Sequence, residues 1–147
     1  MSRVVLLTAV AALALSGPVL AGDNSYRWHL THDGESAQYG VPDSDDRAGR
    51  IDCEASGDLN IMATTGSDSP PGGPVKVTIG SRVLDGLVVE LGDGANFSVE
   101  LPADDPDILA LAAGRDLTIG SAGDTWTLPG KGAAKVLKPL LALCATR

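Results

Sequence analysis

The side chains that could do chemistry are few. Both histidines fall in one short stretch, HLTH, as His29 and His32, and there are only two cysteines, Cys53 and Cys144. Imidazoles three positions apart lie on one side of a helix but on opposite sides of a strand. Tyr26, Trp28 and Leu30 alternate with Arg27 and His29, the pattern of a half-buried strand, so the two imidazoles are expected to diverge rather than share a metal. A zinc centre would need three or four His, Cys or carboxylate ligands, and the cysteines are expected to be bonded to each other.

The most polar stretch is YGVPDSDDRAG, which places Asp43, Asp45 and Asp46 around a turn. Calcium takes several carboxylate and carbonyl oxygens, and Asp43 with Asp45 supplies a D-x-D fragment. The rest of the EF-hand pattern is missing. A solvated turn accounts for the same residues, with Pro42 presetting the backbone and the Asp side chains bonding local amides. No G-x-S-x-G nucleophile elbow is present, and the glycine-rich pieces lack the lysine of a phosphate loop. A small hydrolase or metal-dependent protein would therefore have to draw on His29, His32 or the Asp43 to Asp46 turn. No motif calls for a cofactor.

Aromatic faces are the other means of recognition, and the chain has two Trp, two Tyr and one Phe. Trp28, Phe97 and Trp126 alternate in step with aliphatic neighbours and are assigned to the core. Tyr39, next to the acidic turn, is expected to be free. Tyr39 with Asp43, Asp45 and Asp46 is thus the candidate binding surface.

Positioning such a surface begins with where the chain folds. Arg3 precedes a charge-free apolar run from Val4 to Ser16, and Val19-Leu20-Ala21 puts small or β-branched residues at a cleavage position, the layout of an export signal over 1–21. Gly17-Pro18 ends the run short of the roughly 20 apolar residues that a spanning helix needs. The reading is a signal peptide, then a single β-rich domain over 22–147, periplasmic or secreted, with no membrane span after cleavage. In an oxidising compartment two cysteines read as a bridge. The formal net charge is −8, one unit more negative once Arg3 is removed. Nucleic acid, which demands clustered Lys and Arg, is not expected as a partner and anionic lipid surfaces are poor ones, since Lys76, Arg82, Arg115 and Lys131 are scattered.

Period-two alternation marks the strands YRWHL, RIDC, LNIMA, VKVTI and NFSVEL. Asp85-Gly86 and Asp93-Gly94 read as tight hairpin turns, Ser56-Gly57-Asp58 and Ala122-Gly123-Asp124 as longer hairpin loops, and GSDSPPGGP as an exposed connection. Asp105 can cap a helix that starts at Pro106, carries Asp107 in its first turn and stops at Gly114. In GAAKVLKPLLALC the residues Ala133, Leu137, Leu140 and Cys144 form a helical stripe, which Pro139 should kink or divide. The fold class is mainly β, an antiparallel β-sandwich or open barrel with one short helix and a C-terminal helix pinned by Cys53 to Cys144.

The order of a leader, RIDCEASGDLNIM, a meander, PDILALAAGRDLTI, TWTLPG and a terminal helix ending in cysteine resembles small periplasmic proteins of the invasion-associated locus B type. It is also similar to accessory proteins associated with type VI secretion. The extra cysteines common in the first family are absent. The resemblance implies an exported β-sandwich of accessory role and supplies no catalytic residues. Export, stapling and the lack of a catalytic grouping lead to a non-enzymatic accessory or binding domain, its partner an envelope component or another protein.

Overall fold

A computed structural model describes residues 25–91 and 94–147. The expected signal peptide and Asp93 of the Asp93-Gly94 turn lie outside them. Nine strands follow in chain order: β1 Arg27–Leu30, β2 Ser36–Gly40, β3 Arg47–Cys53, β4 Leu59–Thr64, β5 Pro74–Ile79, β6 Arg82–Leu91, β7 Gly94–Leu101, then β8 Leu117–Ser121 and β9 Asp124–Leu128. Helix α1 spans Pro106–Ala112 and helix α2 Ala134–Cys144.

The strands make one antiparallel sheet in the order β1-β2-β3-β4-β7-β6-β5-β8-β9. Strand alternation sends Ile51, Ile61, Val77, Ile79, Phe97 and Ile119 to a common interior, all without exposed surface. Strand β6 pairs with β5 from Arg82 to Leu87 and with β7 from Leu87 to Leu91. This stagger accompanies the curl of the sheet, which returns β8 and β9 across the interior towards β3 and β4. The Phe97 and Trp126 ring centroids lie 5.8 Å apart, and the Thr65 and Ser121 hydroxyls meet at 2.8 Å. The indole Nε1 of Trp28, on edge strand β1, donates to the Pro129 carbonyl just beyond edge strand β9 at 2.7 Å. No ladder joins β1 to β9 among the described residues. The result is an open near-barrel, one of the two architectures expected.

The helices form as their ends dictate. Asp105 accepts hydrogen bonds from the backbone N–H of Asp107 at 3.0 Å and of Ile108 at 3.4 Å, and Pro106 occupies the first turn, where its missing N–H costs nothing. At the other end Gly114, at φ +93°, donates to the Leu111 carbonyl and Arg115 to the Ala110 carbonyl, a Schellman stop. Helix α2 buries Ala133, Val136, Leu137, Leu140 and Cys144, the expected stripe with one added member. It runs through Pro139 undivided. Pro139 and Lys135, whose carbonyl it leaves without the usual partner, are both exposed. Cys53 and Cys144 are disulfide-bonded, with their Cα atoms 5.6 Å apart.

Two local expectations need correction. Asp85-Gly86 is not a turn, because β6 runs straight through it and the hairpin closes at Gly80-Ser81, between register partners Ile79 and Arg82. Gly86 instead serves packing: a Cβ there would lie 2.8 Å from the Ser98 carbonyl oxygen and 3.0 Å from Val77 Cγ2. The loop at Ala122-Gly123 is a tight two-residue turn, with both residues at positive φ between partners Ser121 and Asp124. SAQYG forms β2, pairing with β1 on one side and β3 on the other.

Candidate functional site

The expected site residues all lie around the β1–β2 hairpin and the turn from β2 to β3. In the hairpin loop, Asp33 accepts hydrogen bonds from the Thr31 hydroxyl at 2.6 Å and from the Glu35 N–H at 3.0 Å. These donors favour its charged form and hold its carboxyl below the usual aspartate range. In the second turn Val41 N–H donates to the Asp46 carbonyl at 2.8 Å and Asp46 N–H to the Ser44 hydroxyl at 3.0 Å, while Asp43 adopts φ +59°, a conformation that Asp tolerates better than most residues. The register shifts between Tyr39 and Gly40. A side chain at Gly40 would place its Cβ 2.7 Å from Arg47 Cα, so glycine lets the chain fold back tightly.

This arrangement gathers His29, His32, Asp43, Ser44, Asp45 and Arg47 along one wide-mouthed cleft of about 560 Å³. Both imidazoles line this cleft, since β1 ends at Leu30 and His32 belongs to the loop, where strand alternation no longer applies. The His29 ring nitrogen Nδ1 lies 3.2 Å from the Arg27 carbonyl. Among the described residues neither imidazole is hydrogen-bonded to Ser44, Asp43 or Asp45, and no group of three or more His, Cys, Asp or Glu is arranged to hold a metal.

Tyr39 and Asp46 do not face that cleft. Tyr39 packs against the core, its ring 5.5 Å from that of Trp28 and 5.8 Å from that of Tyr26, to which it is nearly perpendicular at 77°. It is therefore not the free aromatic. That role falls to Tyr26, which is 41% exposed and whose hydroxyl donates to the Asp46 carboxylate. The carboxylate holds the phenol above its usual range. Tyr26, Trp28 and Tyr39 line a second groove, of about 390 Å³, whose other wall carries Lys131, Gly132 and Lys135 from the approach to α2 and its first turn. Two further clefts lie near the β8–β9 hairpin, and one of them is lined partly by Trp126, whose buried indole nitrogen has no hydrogen-bond partner.

Sequence reasoning missed Tyr26 and the two lysines. It set Lys131 aside as one of a scattered set, yet Lys131, Lys135 and Lys138 recur at helical spacing, and that was the available signal. Among the described residues Arg47, Arg50, Lys76, Arg82 and Arg147 are each ion-paired to a carboxylate. Lys131, Lys135 and Lys138 are not, and Lys131 and Lys135 bring their unpaired positive charge to the aromatic groove.

Compared with known proteins, the chain matches no family model, no curated protein and no solved structure.

Proposed function

We propose that this protein is an exported, non-catalytic binding domain that engages a component of the cell envelope through the surface around the β1–β2 hairpin. The observation that carries the reading is the pairing of two open grooves on that one hairpin with side chains already fixed by local bonds. Tyr26, Trp28 and Tyr39 are held by ring packing and by hydrogen bonds to Asp46 and Pro129, so little ordering remains to be done on binding. The expected export signal and the disulfide support a location outside the cytoplasm, and the resemblance in layout to periplasmic accessory proteins points the same way. No helix among the described residues is long and apolar enough to cross a membrane.

The test is capture from the envelope fraction of the native host with wild-type protein, Tyr39→Ala and Asp43→Ala. Loss of a captured component in either variant supports this surface. An identical set from all three rejects it.

A second reading draws on the histidine cleft. His29, His32, Ser44, Asp43 and Asp45, residue types that hydrolysis would use, all line that one open cleft, while among the described residues no such group is arranged to hold a metal. Turnover of ester or phosphoester substrates that falls in both His29→Ala and His32→Ala would favour this reading over the first.

A further inference from the structure

The groove between the β1–β2 hairpin and the start of α2 combines ring faces with unneutralised positive charge in a protein whose net charge is −8. An anion entering here meets Lys131 and Lys135, both exposed and without a carboxylate partner among the described residues. Helix α2 adds no negative charge of its own, since its first turn holds no acidic residue. Gly132, at φ +86°, lies beside the indole, where a Cβ would stand in ordinary contact at 4.0 Å from Trp28 Cδ1, and its positive φ is the conformation that favours glycine. Opposite the lysines, the exposed Tyr26 ring is fixed edge-on to Tyr39, and its hydroxyl is occupied by Asp46.

Aromatic walls with a few placed polar groups are the usual make-up of a small-ligand site, and about 390 Å³ falls within the usual range. Ring faces take up flat C–H surface, and ammonium groups take up carboxylate as point charges. We infer that this groove binds an acidic glycan, a sugar unit bearing a carboxylate, with the ring laid on Tyr26 and the carboxylate held between Lys131 and Lys135. This rests on the reading of the protein as a binding domain and names the ligand class of one of its two grooves.

Calorimetric titration of the oxidised protein with a short oligogalacturonate tests it, alongside a neutral glucose oligomer of equal length and hexaglutamate. Binding of the oligogalacturonate should weaken about tenfold in the double variant Lys131→Gln/Lys135→Gln and fall with added salt, as exposed charge pairs do. Both lysine side chains are exposed, so an unchanged melting temperature will show that the variant is folded. Tyr26→Ala should weaken binding as well. Equal affinity for the neutral oligomer would overturn the role of the lysines, and tighter binding of hexaglutamate would make the occupant an acidic peptide. Absence of oligogalacturonate binding would overturn the inference while leaving envelope capture through Tyr39 or Asp43 to decide the broader reading.

Discussion

Cys53, the last residue of β3, and Cys144, the last residue of α2, are joined by a disulfide across a sequence separation of 91 residues, with a Cα to Cα distance of 5.6 Å. Both are buried, and Arg147 Nη1 donates to the Cys53 carbonyl at 3.0 Å while its guanidinium pairs with Glu35. The chain end is thus held to the hairpin sheet covalently and by charge. In the chain-entropy model, closing a loop of this length removes roughly 4.5 kcal/mol from the unfolded state, and native strain or residual structure lowers the measured figure. Cys53→Ala/Cys144→Ala should lose about 2 to 4 kcal/mol in urea unfolding. A loss below about 1 kcal/mol would show that packing of Leu137 and Leu140 alone secures α2.

Arg82 and Asp105 make the most buried ion pair among the described residues. The guanidinium Nη2 lies 2.9 and 2.8 Å from the two Asp105 oxygens and 2.7 Å from Asp107, and Asp105 is 1% exposed. The same carboxylate caps α1, so one side chain fixes the helix start and ties it to β6. Asp105→Ala removes both and should cost about 2 to 4 kcal/mol, the sum of a cap and a charged hydrogen bond. Asp105→Asn keeps a good cap residue and should cost less. Equal losses in chemical denaturation would show that the cap contributes nothing beyond the ion pair.

Tyr26 and Asp46 give a pH dependence of definite sign. Hydrogen bonding to the Asp46 carboxylate favours the neutral phenol, with burial and the Asp46 charge acting in the same direction, so its folded pKa is raised. A raised value contributes stability that is fully present below the ordinary tyrosine range and is lost as pH rises through the raised value. Phenolate absorbance should therefore appear at lower pH in Asp46→Asn than in the wild type. The variant should also lose less stability than wild type over the alkaline window. Superimposable titration curves would show that the bond is not formed in solution.

How far the sequence carries depends on whether a feature is written locally. The stripe Ala133, Leu137, Leu140 and Cys144 and the cap at Asp105 were legible because helix periodicity and capping depend on residues within a few positions. The pairing of Cys53 with Cys144 needed only their number and the expectation of export. Strand β2 was not legible: in SAQYG the residues Ser36, Ala37 and Gln38 are all buried, since tertiary packing covers both faces of the strand and erases the alternation. The grooves were legible only in part. His29, His32, Asp43 and Asp45 were named individually, but their meeting depends on where β1 stops. Lys131 and Lys135 reach Tyr26 through the return of the chain at Pro129, across a separation that no local pattern encodes.

Asp85-Gly86 is the sharpest case, because the same dipeptide would serve a hairpin turn or a crowded strand, and the two make opposite demands on a substitution. In a type I′ turn the glycine needs positive φ, and Asn or Asp would be tolerated in its place. In the observed fold Gly86 is buried, pairs with Val75, and has no positive φ. What it lacks is room, since a Cβ would meet the Ser98 carbonyl oxygen at 2.8 Å and Val77 Cγ2 at 3.0 Å. Ser98 belongs to β7 and its carbonyl cannot swing aside like a flexible side chain, so β6 would have to shift against both neighbours at the point where its pairing passes from β5 to β7. Gly86→Ala should cost about 1 to 3 kcal/mol through overpacking, and Gly86→Asn should be no better tolerated. The neighbouring Asp85→Asn, on an exposed residue paired only to Lys76 at the surface, should change stability by less than about 1 kcal/mol. Thermal unfolding of the three variants checks this, and a neutral Gly86→Asn would restore the turn and break the strand assignment.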